Sequence, residues 1–235
     1  MKKGIDCASQ ISKAFATYLK LQGYSFVCRY LVPATMAWKR LTRTEAEIVT
    51  EAGLLILSIF ESSANRAALG KAAGLTDGAA AFQEAVAIGQ PEGSTIYFAV
   101  DYDAQPSDYD AIEAYLKAAA SKITGYRIGV YGSYAVCEAM SKRGFAFCWQ
   151  TYAWSKGKKY VKANVYQYKN GVTLFGITCD LNESYGSEGF WNLMSFEDAL
   201  KVISGKAGIS VDYWKERRDI DPNFELLIKK IASAV

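Results

Sequence analysis

Short apolar runs recur along the chain, separated by polar or amphipathic stretches. The runs are Gly4–Cys7, Ser25–Leu31, Leu54–Phe60, Thr95–Val100, Arg127–Tyr131, Phe145–Gln150, Asn164–Tyr168 and Gly176–Leu181. Their brevity and their β-branched and aromatic content predict eight buried strands. Helical periodicity fills the first five gaps, over Ser9–Gln22, Thr44–Ala52, Asp77–Ile88, Ser107–Lys122 and Ser133–Arg143, with Gly53, Gly89 and Gly144 as stops. Short linkers of Gly, Lys and Asn join the last three strands and leave no room for full helices. Alternating strands and helices predict a parallel sheet, and eight strands predict its closure. The expected fold is an α/β, TIM-type (β/α) barrel with about five helices, the late ones missing.

The pattern changes near residue 187. Ser195–Ile203 reads as a capped amphipathic helix, Gly208–Trp214 turns into a second, and Phe224–Ala234 gives a third with Phe224, Leu227, Ile228 and Ile231 on one face. This divides the chain into a barrel over 1–186 and a small helical C-terminal extension over 187–235.

Function in such a barrel belongs at the C-terminal ends of the strands. Those ends carry Asp6, Arg29, Glu61, Asp101 with Asp103, Tyr131, Gln150, Gln167, and Asp180 with Asn182. Acids close four of the eight strands. Strand alternation places Asp101 and Asp103 on the face of Ala99, towards the barrel axis, and turns Ile96, Phe98 and Val100 towards the helices. Two carboxylates in one site split their pKa values, and acid/base chemistry on glycosides uses that split. The plainer reading of the pair is one salt bridge and one turn cap. Tyr30, Tyr102, Tyr131, Tyr134, Trp149, Tyr152, Trp154, Tyr166 and Tyr168 crowd the same strand ends. Such rings suit the C–H faces of sugars, so a carbohydrate cleft is expected; their plainer role is packing.

Composition narrows the chemistry. The 235 residues are 51% hydrophobic, enough for a large core, and the net charge is only +3 without a long basic run, so nucleic acid is not an expected partner. Histidine is absent, which excludes Ser-His and Cys-His triads and His-ligated metals. Carboxylates, tyrosines and amides must do the work, with no metal and no cofactor expected. The five cysteines are scattered without a CxxC, so neither a disulfide framework nor a zinc site is expected. No apolar run is long enough to span a bilayer. The first residues show no signal-peptide pattern, giving the expectation of cytoplasmic synthesis and later release onto a wall, as in spore or phage lysis.

Five motifs in register carry a resemblance: Gly4-Ile5-Asp6, Asp101-Tyr102-Asp103, Val130-Tyr131-Gly132, Val165-Tyr166-Gln167-Tyr168 and Ile177-Thr178-Cys179-Asp180-Leu181-Asn182. Over about residues 3 to 186 the chain resembles the family 25 glycoside hydrolases, the lysozyme-like N-acetylmuramidases. More closely it is similar to their glycoside-hydrolase-like (DUF1906, Rv2525c-like) relatives. The resemblance implies cleavage of β-1,4 bonds in peptidoglycan, with Asp6, Asp101, Asp103 and Asp180 at the acid positions. It also implies a departure, because Asp103 stands where the family has the Glu that acts as general acid. Glu61 is the expected source of the missing reach. Arg29, Tyr131, Trp149, Gln150, Gln167 and Asn182 are the expected substrate contacts. The alternative is a barrel that binds peptidoglycan or a related glycan without cleaving it.

Overall fold

The structure, a computed structural model, describes residues 1–218, 221 and 223–232. The chain forms two compact units, Met1–Asn192 and Leu193–Val235. In the first, eight strands close into a barrel in sequence order: β1 (Lys2–Asp6), β2 (Phe26–Tyr30), β3 (Leu55–Phe60), β4 (Thr95–Ala99), β5 (Arg127–Gly132), β6 (Phe147–Thr151), β7 (Val165–Leu174) and β8 (Ile177–Ser184). Five helices occupy the first five gaps: α1 (Lys13–Leu21), α2 (Arg43–Glu51), α3 (Gly70–Ile88), α4 (Tyr109–Ala120) and α5 (Tyr134–Lys142). The eight-stranded α/β barrel with missing late helices is therefore present.

Local chemistry sets the helix ends. The side chains of Ser12, Thr42 and Ser133 accept hydrogen bonds from the backbone N–H groups of Phe15, Glu45 and Val136, capping α1, α2 and α5. The cap before α4 is of a different kind. It is a reciprocal box between Gln105 and Asp108, with Pro106 opening a short 3-10 turn. Helices α3 and α4 pack so closely that a Cβ on Gly74 would lie 2.1 Å from the Tyr115 carbonyl oxygen. Asp77 of α3 is buried there, held by both Arg66 (3.0 and 2.7 Å) and the Tyr115 hydroxyl (2.9 Å).

The sheet is not wholly parallel. β8 runs antiparallel to both β7 and β1, pairing Asp6 with Asp180 and Lys2 with Ser184. The cause is local: Leu174 pairs with Ile177, and the two residues between them, Phe175 and Gly176, both have positive φ (52° and 77°). That is the backbone of a two-residue hairpin turn, which reverses the chain where a crossover helix would have kept it parallel. The reversal brings the first half of β8 to the rim where the other strands end.

Inside the barrel, alternation buries Phe26, Cys28, Leu57, Ile59, Tyr97, Ala99, Tyr131, Trp149 and Val165 as one cluster. The opposite faces, including Ile5, Val27, Ile56, Phe60, Ile96 and Phe98, are buried beneath the helices. The first unit runs past residue 186 because residues 188–191 bind the strands at the lower end. Phe190 packs on Phe26, the Tyr97 hydroxyl donates to the Glu188 carbonyl, and Trp191 bridges Ile56. Gly189 (φ 79°) lies so close to Thr95 that any Cβ would overlap it.

The second unit contains α6 (Phe196–Ala207), α7 (Val211–Arg218) and α8 (Phe224–Ala232). Phe196, Ala199, Leu200, Ile203, Ile228 and Ala232 form its own core. Ser233 and Ala234, expected at the end of the third helix, lie outside the described residues.

Candidate active site

A pocket of about 120 Å³ opens at the strand-end rim. Its walls include Asp6, Glu61, Asp101 and Asp180, with Tyr30, Tyr131, Trp149, Gln167 and Asn170 between them. The strands explain this convergence. Ile59 and Ala99 face the barrel interior, and Glu61 and Asp101 stand two residues beyond them on the same side. The backbone N–H of Asp101 donates to the Ala64 carbonyl (3.1 Å), which fixes the residue after its strand has ended.

Asp6 and Asp180 are direct cross-strand partners. Such partners have Cβ atoms about 4.5–5.5 Å apart and face the same side, a costly placement for two like charges. A single amide manages the contact: Gln167 Nε2 donates to Asp6 Oδ2 (2.9 Å) and to Asp180 Oδ2 (3.2 Å). Gln167 is itself held by the hydroxyls of Tyr131 (3.0 Å) and Thr151 (2.7 Å), which donate to its Oε1. Asn182 donates to Asp6 Oδ2 (2.7 Å) and accepts from Trp149 Nε1 (2.8 Å). Burial, followed by the Asp180 charge, pushes the Asp6 carboxyl up to about 7 despite these two amide donors. Burial also raises Asp180, and the Gly171 N–H (2.8 Å) opposes that rise.

Asp101 and Glu61 form a second acid pair, close enough to share a hydrogen bond. Burial first, then the charge of Glu61 and that hydrogen bond, raises Asp101 to about 6, against the opposing pull of Lys39. A carboxyl with such a value is half-protonated near pH 6 and can give or take a proton there. Among the described residues, no group of three or more Cys, Asp or Glu side chains is arranged to hold a metal ion.

The structure thus gathers Asp6, Glu61, Asp101, Asp180, Tyr131, Trp149 and Gln167 around one pocket, with Asn182 beneath Asp6. It places three expected residues elsewhere. Asp103 is exposed and absent from the pocket walls, because β4 ends at Ala99 and the chain turns where Ala104 N–H bonds the Tyr102 carbonyl (2.8 Å). The alternation that would have aimed it inward no longer applies. Arg29 lies on the opposite face of β2 from Cys28 and Tyr30, is fully buried, and binds Glu45 (2.6 Å) and the Cys7 carbonyl. Gln150 likewise faces away from the axis and ties down the β6–β7 connection through Ser155, Lys158 and Tyr160. Lys39 and Asn170 were not expected at the site. Lys39 comes from the connection after β2, and Asn170 from the irregular middle of β7, where the register against β8 shifts and simple alternation no longer reports direction.

Residues 17–192 match the family described as Rv2525c-like, glycoside hydrolase-like domain. The chain belongs to that family. The Tat-secreted protein Rv2525c of Mycobacterium tuberculosis superposes with a TM-score of 0.73 at 23% identity, over 81% of this chain and 98% of that one. GHIP, a glycosyl hydrolase 25 of Streptococcus pneumoniae, gives a TM-score of 0.55 at 14% identity, over 78% of this chain and 87% of that one. At these identities the likeness is one of fold. By sequence, the protein FadG of Bacillus subtilis is 33% identical over 157 residues, 62% of this chain. The chain spans only 27% of the length of that curated relative. The family membership and the family 25 neighbour agree with the resemblance carried by the five motifs.

Proposed function

We propose that this barrel is a peptidoglycan-directed glycosidase in which Asp101, rather than Asp103, is the general acid. The observation that carries the reading is the Asp101–Glu61 pair at the pocket wall, where burial and the neighbouring carboxylate raise Asp101 to about 6. Protonated Asp101 donates its proton to the glycosidic oxygen as the bond to the anomeric carbon breaks, and the departing sugar leaves as an alcohol. A water molecule then adds to the anomeric carbon, and its released proton restores the Asp101 carboxyl. Asp180 faces the positive charge that develops on the ring, and Asp6 holds Gln167 in register beneath it. The pocket is too small for a disaccharide, so the glycan lies across the mouth and inserts one group between Tyr30, Tyr131 and Trp149. The family 25 likeness supports a wall glycan as the substrate.

The test is release of reducing ends from purified peptidoglycan by the wild type, Asp101→Asn and Asp103→Asn. The expected result is turnover by the wild type and Asp103→Asn, with Asp101→Asn inactive. Equal release from wild type and Asp101→Asn would remove Asp101 from the acid role. A second reading, glycan binding without cleavage, is favoured by the exposure of Asp103 at the family's acid position. It requires co-sedimentation with insoluble peptidoglycan and no released ends from any variant.

A further inference from the structure

The connection between β6 and β7 stands where a crossover helix is missing, and it is basic. From residue 155 to 162 it carries Lys156, Lys158, Lys159 and Lys162 and no acid. All four lysines are exposed. Lys159 is engaged, 3.7 Å from Glu183 and over the rings of Tyr166 and Tyr185. Lys156, Lys158 and Lys162 make no ion pair among the described residues. The segment is nevertheless fixed. Gln150, fully buried, commits its whole amide to it: Nε2 donates to Ser155 Oγ (3.1 Å) and the Lys158 carbonyl (2.8 Å), and Oε1 accepts from the Tyr160 N–H (2.7 Å). Ser155 Oγ in turn accepts from the Tyr134 N–H (2.8 Å), which ties the connection to the start of α5. Trp154 and Lys156 hold positive φ (53° and 51°), a backbone that side chains with a β-carbon rarely adopt. A surface segment so constrained presents its side chains in set places.

Beside it lies a groove of about 440 Å³, against about 120 Å³ for the strand-end pocket. Its walls include Tyr109, Tyr134, Glu138, Lys142, Arg143 and Lys158. Glu138 is satisfied within the groove by Lys142 (3.1 Å) and the Tyr134 hydroxyl (3.0 Å), and Arg143 is held by Asp110 and Glu113. The charge left for a ligand is that of Lys158, whose ammonium stands 5.4 Å from the centre of the Tyr134 ring. The connection also begins at the strand-end pocket. The Thr151 hydroxyl donates to Gln167 Oε1 (2.7 Å), and the Tyr152 N–H donates to the Gln167 carbonyl (2.9 Å).

We propose that the 155–162 connection and this groove form a second binding surface, for the carboxylates on the peptide stems of the peptidoglycan strand held at the strand-end pocket. The proposal rests on the reading of a wall glycan as the substrate. The two charged regions are complementary to two parts of that polymer. Asp6, Glu61, Asp101 and Asp180 line the pocket and repel anions, so a neutral sugar belongs there. The unpaired lysines attract the acidic stems that the same strand bears beside its sugars, and raise their concentration at the flank of the barrel. Tyr109 and Tyr134 offer ring faces to the apolar parts of what lies in the groove. A phosphate-bearing wall polymer would also meet these lysines, but the carboxylates come on the strand that the pocket already holds.

The experiment is co-sedimentation of the whole protein with three insoluble probes: peptidoglycan stripped of phosphate polymers, the same material with its carboxylates amidated, and unstripped walls. Wild type is compared with the triple variant Lys156→Gln, Lys158→Gln, Lys162→Gln. These side chains are exposed, so the variant should keep the wild-type urea midpoint. On stripped peptidoglycan at low salt the variant should bind about tenfold more weakly, roughly two- to threefold for each exposed charge. Amidation should weaken the wild type to the level of the variant, and about 0.5 M salt should erase the difference between the two proteins. A wild type that does not sediment, that binds no better than the variant, or that binds native and amidated material equally overturns the proposal. Binding to unstripped walls alone overturns it in favour of phosphate. Reducing-end assays on the same proteins keep the two readings apart. Lysine-dependent binding without turnover sinks the glycosidase reading and leaves the surface standing; turnover with binding indifferent to the lysines does the reverse.

Discussion

Replacing Asp6 with Asn should stabilise the barrel at alkaline pH and do nothing for it in acid. Asp6 is 6% exposed and directly opposite Asp180, and its carboxyl is raised from an ordinary 3.8 to about 7. The folded state therefore binds this proton more tightly than the unfolded chain does. No penalty exists below about pH 4, where both states hold the proton. Between about 4 and 7 the unfolded chain releases it first and stability falls, and above 7 the cost is constant. A displacement of about three pH units at about 1.36 kcal/mol each gives a cost on the order of 4 kcal/mol. The side-chain oxygen of Asn can still accept from Gln167 and Asn182, which both donate to Oδ2 of Asp6 (2.9 and 2.7 Å). Asp6→Asn should thus gain about 2–4 kcal/mol at pH 8, a shift of about a molar or more in the urea midpoint. Tryptophan fluorescence follows the transition, since Trp149 lies within the barrel. A variant no more stable than wild type at pH 8, or equally stabilised at pH 4 and pH 8, would refute the reasoning.

Three further outcomes are expected. On the proposed glycosidase reading, Asp101→Asn should lower kcat by about 10²–10⁴-fold, whereas Asp103→Asn should stay within a few-fold, both read as reducing ends per minute. Gly74→Ala forces a methyl group onto the Tyr115 carbonyl 2.1 Å away and should cost about 1–3 kcal/mol in a denaturant titration, with the acid pocket unaltered. Glu45→Gln leaves the charge of the fully buried Arg29 unbalanced and should cost about 3–5 kcal/mol; a loss under about 1 kcal/mol would show that Arg29 does not depend on that carboxylate's charge.

The sequence made the strands legible because each is an apolar run flanked by polar punctuation, and the helices because their caps and periodicity agree. It also revealed Asp6, Glu61, Asp101 and Asp180, because acids at the ends of buried strands are costly and conspicuous. Face assignments failed where a strand end was read by position rather than by alternation. Arg29 and Gln150 are last or nearly last in their runs, yet Cys28, Tyr30 and Trp149 are the residues that face inward. Asp103 failed for the converse reason, since alternation was extended beyond Ala99 into a segment that is no longer a strand. The direction of β8 hung on the dipeptide Phe175-Gly176, whose Phe adopts a positive φ that its side chain does not advertise. Lys39 was illegible because it lies in the connection after β2, where no periodicity announces its ion pair with Glu61.

The reversed last strand also bears on how the barrel comes together. The β7–β8 hairpin is local, and hairpins of this kind form in about 1–10 μs. Its union with β1 is the opposite case, joining Lys2–Asp6 to residues near the far end of the first unit. Such distant pairings are slow, because loop-closure entropy is spent before contacts repay it. That same union presses Asp6 against Asp180. The seam that closes the ring is thus also where two acids meet, and a proton on either one eases the final act of assembly. Acidity should therefore speed closure of the barrel.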